Sequence, residues 1–142
     1  MASVVEEKEA IRDVLSAYCF YMDDGKFDQW ADLFSEDAVF EAGPQGKMQG
    51  RAAIKDFIVK AVPTQGEGPA RKHCTMNSMI QVNGTEAKVD SYIIVVREAD
   101  QGIMTSLAGR YEDLLVKQGE TWRFKVRKIH FDIVGDLGLK KS

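Results

Sequence analysis

The sequence predicts an α+β domain in which helices come first and a strongly curved, mixed but largely antiparallel sheet follows. Through residue 60 the apolar residues repeat at helical spacing in three segments, interrupted by one hairpin between residues 38 and 49. Beyond residue 70 they gather in four runs rich in β-branched and aromatic side chains, separated by turn signals of which Asn83-Gly84 is the sharpest. At 142 residues, 44% hydrophobic and 29% charged, the chain suits one domain with a core large enough to hold a pocket. It is read as a single unit over 1–142, with its core over about 5–134 and a frayed C-terminal tail, GDLGLKKS.

From Val4 to Met22, the apolar residues Ile11, Val14, Leu15, Tyr18, Cys19 and Met22 recur at i, i+3 and i+4, which predicts a helix with one buried face. Glu6, Glu7 and Glu9 complement the positive end of its dipole. Asp23-Asp24-Gly25-Lys26 breaks the pattern, with a glycine suited to a C-terminal cap. Phe27, Trp30, Leu33 and Phe34 share one side of a short helix over 27–33. Ala38-Val39-Phe40 begins a first strand, Gly43-Pro44-Gln45-Gly46 turns it, and Lys47-Met48-Gln49 returns. Gly50 to Val59 restores helical spacing through Ile54, Phe57 and Ile58. Residues 61–70, AVPTQGEGPA, have no periodicity and form either a lid or a plain connector. Strands follow at 73–82, 87–98, 104–117 and 121–134 as an antiparallel meander. A bent sheet covered by helices encloses a hollow, the usual setting for a small-molecule site.

A net charge of −3 supplies no basic field for nucleic acid or an anionic membrane, so neither partner is expected. The acidic start MASVVEEKEA is unlike a secretory leader, and the longest apolar run, Tyr92 to Val96, is far too short to span a bilayer. A cytoplasmic protein is the expectation. Cys19 and Cys74 lack CxxC spacing, and Cys19 falls within the helical stripe as a small buried hydrophobe would. Two scattered histidines predict no metal site, and no GxGxxG or GxxxxGK[ST] loop offers a phosphate cradle. No cofactor is expected.

Candidates for chemistry are few. His73 opens the first long strand and His130 lies in the last one. An imidazole backed by a carboxylate is a general base, because the carboxylate fixes the tautomer and stabilises the imidazolium that forms. An aspartate ending the first helix would sit at a pocket wall within reach of a strand-initial histidine. Turn capping by short polar side chains accounts for Asp23 and Asp24 equally well. Tyr18, on the helix face of Leu15 and Met22, either carries a hydroxyl into the hollow to bind substrate or is buried in the core.

The stretches YMDDGKFDQWADLFSEDAVFEAG, MQGRAAIKDF, RKHCTMNSMIQVNGTEAKVDSY and GRYEDLLVKQGETWRFKVRKI, in that order, resemble the SnoaL-like family of the nuclear transport factor 2 superfamily across residues 5–132. The resemblance implies a cone-shaped sheet with the N-terminal helices packed on it. It also implies that the working pair is Asp23 and His73, with Asp24 serving the turn. Family members such as scytalone dehydratase and hexachlorocyclohexane dehydrochlorinase use such a pair to remove a proton from carbon. Met22 stands where scytalone dehydratase has a tyrosine, so scytalone itself is not the expected substrate. Arg127 falls near a cationic position of the dehydrochlorinase type; it either binds a leaving group or developing negative charge, or is a solvated strand residue. The implied activity is cofactor-independent proton abstraction from a small, hydrophobic, cyclic substrate, giving dehydration or other elimination, isomerisation or cyclisation. The rival implication is a non-catalytic ligand-binding or assembly subunit similar to the β subunit of ring-hydroxylating dioxygenases. Family habit implies a homodimer or homotrimer through the sheet, and the weak alternation in YIIVV suits a strand covered on both faces.

Overall fold

In the computed structural model, which describes residues 2–64 and 66–140, the first helix is α1 (Val4–Asp23). Ser3 starts it with a capping box. Its hydroxyl accepts from the Glu6 N–H at 3.1 Å, and Glu6 accepts from the Ser3 N–H at 3.0 Å. The predicted stripe is the buried face: Ile11, Leu15, Tyr18, Cys19 and Met22. Gly25, at φ 71°, ends the helix. Its N–H donates to Met22 O and that of Lys26 to Tyr21 O, the paired bonds of a Schellman cap, which needs a left-handed residue there.

Then come α2 (Phe27–Ala31), β1 (Phe34–Glu41), a 3₁₀ turn (Gly43–Gln45), β2 (Lys47–Gln49), α3 (Arg51–Ala61), β3 (Arg71–Asn83), β4 (Glu86–Ala99), β5 (Gly102–Gln118) and β6 (Thr121–Val134). One unclosed six-stranded sheet has the order β2-β1-β6-β5-β4-β3, with β1 parallel to β6 and every other pair antiparallel. The α+β class and the mixed, curved sheet are therefore as expected. The strand start differs: β1 begins at Phe34 rather than Ala38, and α2 stops at Ala31. Pairing with β6 decides this, since Phe34 sits opposite Phe124 and the Phe124 N–H donates to Leu33 O at 2.8 Å. Tertiary hydrogen bonding overrides the helical spacing of Leu33 and Phe34.

The concave face carries the core. In β4, Val89, Ile93 and Val95 point inward and are buried, whereas Tyr92 on the convex face is 55% exposed, so the run YIIVV alternates after all. One end of the concavity is filled by Tyr18, Trp30, Phe34, Phe40, Tyr111 and Phe124, whose rings lie 4.9–6.3 Å apart.

Glu7 pins α1 to the β5–β6 hairpin, accepting from Lys117 Nζ and Trp122 Nε1, each at 2.5 Å. These bonds hold its carboxyl below the ordinary glutamate value. A lowered folded-state value means stability present above the unfolded pKa and lost as pH falls through the folded one. Glu7→Gln is thus expected to unfold at lower denaturant than the parent at neutral pH, with the difference shrinking as both are acidified below the ordinary glutamate range. Urea titrations across pH check this.

The C-terminal segment is not frayed through residue 140. Gly135 N–H donates to Ser106 O on β5, Arg97 on β4 binds Asp136, Arg71 on β3 binds the carbonyls of Leu137 and Gly138, and the Lys140 N–H donates to Ala61 O at the end of α3. Residues 135–140 thus cross the open end of the concavity as a strap. Leu137 and Leu139 pack inward against the core, and burying them offsets the entropy of ordering the segment. Lys141 and Ser142 of the expected tail lie outside the described residues.

Candidate functional site

Between the strap, α1, α3 and the concave sheet lies a hollow of about 640 Å³, counted out to its open side. Its walls are mainly apolar, including Met22, Phe40, Phe57, Leu107, Phe131 and Leu139. A concave, apolar lining of this kind suits a small organic molecule.

His73, the third residue of β3, lines the hollow. It faces Val95 across the β3–β4 ladder and so shares that buried residue's face. Because β3 is an edge strand, alternate backbone N–H groups point away from β4 and need another partner. Asp23, the last residue of α1, supplies it. The His73 N–H donates to Asp23 Oδ2 at 3.0 Å, while His73 Nδ1 lies 2.6 Å from Asp23 Oδ1. One carboxylate therefore fixes both the strand and the ring. The two side chains are 13% and 7% exposed. With the carboxylate accepting, the proton sits on Nδ1 and the lone pair on Nε2, which has no hydrogen-bond partner among the described residues. The ring's free nitrogen is thus left to the hollow. The carboxylate and the C-terminal end of α1 both lie beside the imidazole.

Asp24 is the exposed C-cap residue and takes no part in the pair. His130 is elsewhere, half-buried and bound to Glu112 with Nε2 2.7 Å from Oε1.

Tyr18 lines the hollow, as does Tyr111, which the sequence reading passed over. Burial pushes the Tyr18 hydroxyl up to about 12 against the opposing pull of Arg127, and holds that of Tyr111 well above its ordinary value. Both remain neutral hydrogen-bond donors at working pH.

Arg127 is neither a solvated residue nor part of the hollow's lining. Its guanidinium is 0% exposed, held by Asp113 through Nε–Oδ1 at 2.9 Å and Nη2–Oδ2 at 3.2 Å. It stacks 3.4 Å from the Tyr111 ring centre and 4.1 Å from that of Tyr18. The physical reason is register: Arg127 lies opposite Asp113 on the concave side, so an ion pair and aromatic faces compensate its burial. Burial alone would lower its pKa, but Asp113 and the two tyrosines leave it raised.

Arg71 also lines the hollow. A period-two reading of RKHC, which puts Arg71 on the same strand face as His73, was the available signal. Nothing local announced Leu137 and Leu139, because the strap's path is set by partners on four separate elements of the fold: Arg71 on β3, Arg97 on β4, Ser106 on β5 and Ala61 on α3.

Among curated proteins, no relative is found by sequence. Solved structures of similar fold are many. One, from Novosphingobium aromaticivorans and provisionally assigned as a scytalone dehydratase, is 26% identical with a TM-score of 0.78, covering 96% of this chain and 91% of that one. An NTF2-like protein with a cystatin-like fold from the same organism is 18% identical, with a TM-score of 0.79 and coverage of 91% and 84%. The β subunit of a provisionally assigned aromatic-ring-hydroxylating dioxygenase, again from N. aromaticivorans, is 21% identical, with a TM-score of 0.75 and coverage of 89% and 90%; the last two likenesses concern the fold alone. A family model for the SnoaL-like domain matches residues 3–128. By that match and by its NTF2-like architecture, the chain belongs to the SnoaL-like domain family.

Proposed function

We propose that the protein is a cofactor-independent enzyme in which the Asp23–His73 pair removes a proton from carbon in a small, hydrophobic, cyclic substrate. The observation that carries this reading is a 2.6 Å carboxylate–imidazole contact on the wall of an apolar hollow. Asp23 holds the proton on Nδ1, so Nε2 accepts one from the substrate, and the carboxylate stabilises the imidazolium until the proton is returned or delivered to a leaving group. Tyr18 donates its hydroxyl to oxygen or to developing negative charge on the bound ring. Elimination, isomerisation and cyclisation all use this step and differ in where the electron pair goes. The reading is tested by turnover of a panel of hydroxylated and halogenated cyclic compounds by the parent and by His73→Ala. Loss of about 10²–10⁴-fold is expected in the variant, and equal rates would reject the site.

The second reading, a ligand-binding or assembly subunit, draws on the likeness to a dioxygenase β subunit and on the convex face. Met79, Tyr92, Ile103 and Ile133 are exposed there by 55–83%. The same face is the proposed contact of a homodimer or homotrimer. Light scattering is expected to return two or three times the 15.9 kDa chain mass. A single-chain mass at micromolar concentration would overturn the association.

A further inference from the structure

We propose that the substrate carries a carboxylate, held at the strap-covered end of the hollow by Arg71 with the Ser106 hydroxyl as a second donor. This rests on the reading of the hollow as a substrate site, and not on the chemistry assigned to His73.

Arg71 is a cation with no carboxylate bonded to it among the described residues, Asp23 being the one whose charge reaches it. Its Nη1 and Nη2 donate to the Leu137 and Gly138 carbonyls at 3.0 and 2.8 Å. Its Nε is buried and has no partner among the described residues. The carboxylates in its neighbourhood are committed elsewhere: Asp23 to His73, and Asp136 to Arg97, which faces Arg71 across the β3–β4 ladder. Burial lowers the pKa of Arg71 and the Arg97 charge adds to the effect, outweighing the opposing pull of Asp23, so the guanidinium gains from a further anion that reaches it.

Ser106 is an independent sign of a polar ligand group. It is the extra residue of a bulge where Val95 pairs Leu107 but Val96 pairs Thr105, and its residue is 1% exposed. Ser106 lines the same hollow, and its buried hydroxyl has no partner among the described residues. A buried donor left unpaired is costly, and a ligand oxygen removes that cost. Arg71 and Ser106 stand on the first and third of three adjacent strands, roughly 10 Å apart at the backbone, a gap that the arginine side chain and a carboxylate bridge. Two donors suit the two oxygens of a carboxylate, while the walls beyond them are apolar and suit its ring. Arg71 and His73 lie about 7 Å apart along β3. The proton taken by His73 therefore sits on a ring carbon several bonds from the carboxylate.

Calorimetric titration with 2-naphthoate and its neutral isostere 2-naphthamide tests the proposal. The parent is expected to bind naphthoate at least about tenfold more tightly, the scale of a charge-assisted hydrogen bond. Arg71→Gln should equalise the two probes. Ser106→Ala, which leaves the Arg71 contacts with the strap intact, should cut the preference about threefold. His73→Ala should keep the preference while losing turnover, so the anchor and the base fail separately. Equal affinities in the parent, a preference surviving Arg71→Gln, or no naphthoate binding up to about 1 mM would each overturn the proposal.

Discussion

Asp23→Asn is expected to lower turnover about 10²–10⁴-fold, close to the effect of His73→Ala, while shifting the melting temperature by less than about 4 °C. The asymmetry follows from the bonds that Asp23 accepts. Its Oδ2 takes the His73 backbone N–H at 3.0 Å, and its Oδ1 lies 2.6 Å from Nδ1 and accepts more weakly from the same N–H at 3.3 Å. An asparagine in the same place keeps the shorter backbone bond only if its carbonyl oxygen takes over the Oδ2 position. Its amide nitrogen then donates to Nδ1, which must become the acceptor, and the ring proton moves to Nε2. A histidine with its proton on Nε2 has no lone pair to offer the hollow. The opposite orientation sets the amide N–H₂ against the backbone N–H, two donors face to face. The fold survives, because the edge of β3 remains anchored, but the base is lost. Asp23→Ala differs: it also strands the buried His73 N–H and should destabilise by about 1–3 kcal/mol. Steady-state rates and thermal melts on the three variants distinguish these outcomes, and an Asn variant with parental turnover would remove Asp23 from the reaction.

Asp113→Ala should destabilise the protein by about 3–5 kcal/mol, the largest effect expected from any single substitution considered. The Arg127 guanidinium that it leaves behind is wholly buried, with only aromatic rings for company. Cation–π attraction to Tyr111, Tyr18 and Phe124 amounts to about 2 kcal/mol at desolvated sites and does not replace a bidentate carboxylate. Replacing both partners by apolar residues of similar volume, as in Asp113→Leu with Arg127→Met, should leave stability near the parental value, because both desolvation costs vanish with the attraction. Urea midpoints of the single and double variants decide this, and a single variant as stable as the parent would refute it. Burial also pushes the Asp113 carboxyl up to about 6 from 3.8, against the lowering effect of Arg127. A raised folded-state value favours the folded protein below the unfolded pKa, and this contribution is lost as pH rises through about 6. Asp113→Asn should therefore flatten the stability profile between those two values.

The helices and the meander were legible because each rests on short-range regularity. The α1 stripe from Ile11 to Met22 and the turn signals at Gly43-Pro44, Asn83-Gly84 and Gln118-Gly119 act within a few residues of one another. Asp23 and His73 were legible as candidates because each sits at the end of an element, but only the resemblance to the SnoaL-like family set the pair above turn capping and above His130. Arg127 was misjudged because alternation gives the face of a strand residue but not the residue opposite it. Its burial depends on Asp113, fourteen positions earlier, arriving in register.

Local chemistry, then, determined the order of elements and the α+β class, while the resemblance to the SnoaL-like family singled out the two residues of the candidate base. Tertiary structure alone decided that β1 starts at Phe34, that Arg127 is sealed inside the core, and that residues 135–140 close over the hollow beside Arg71. Each of those outcomes depends on hydrogen bonds or charges between segments far apart in the chain. Such partners leave no periodic trace in the sequence, since what selects them is the free energy of satisfying a buried donor or charge once the sheet has formed.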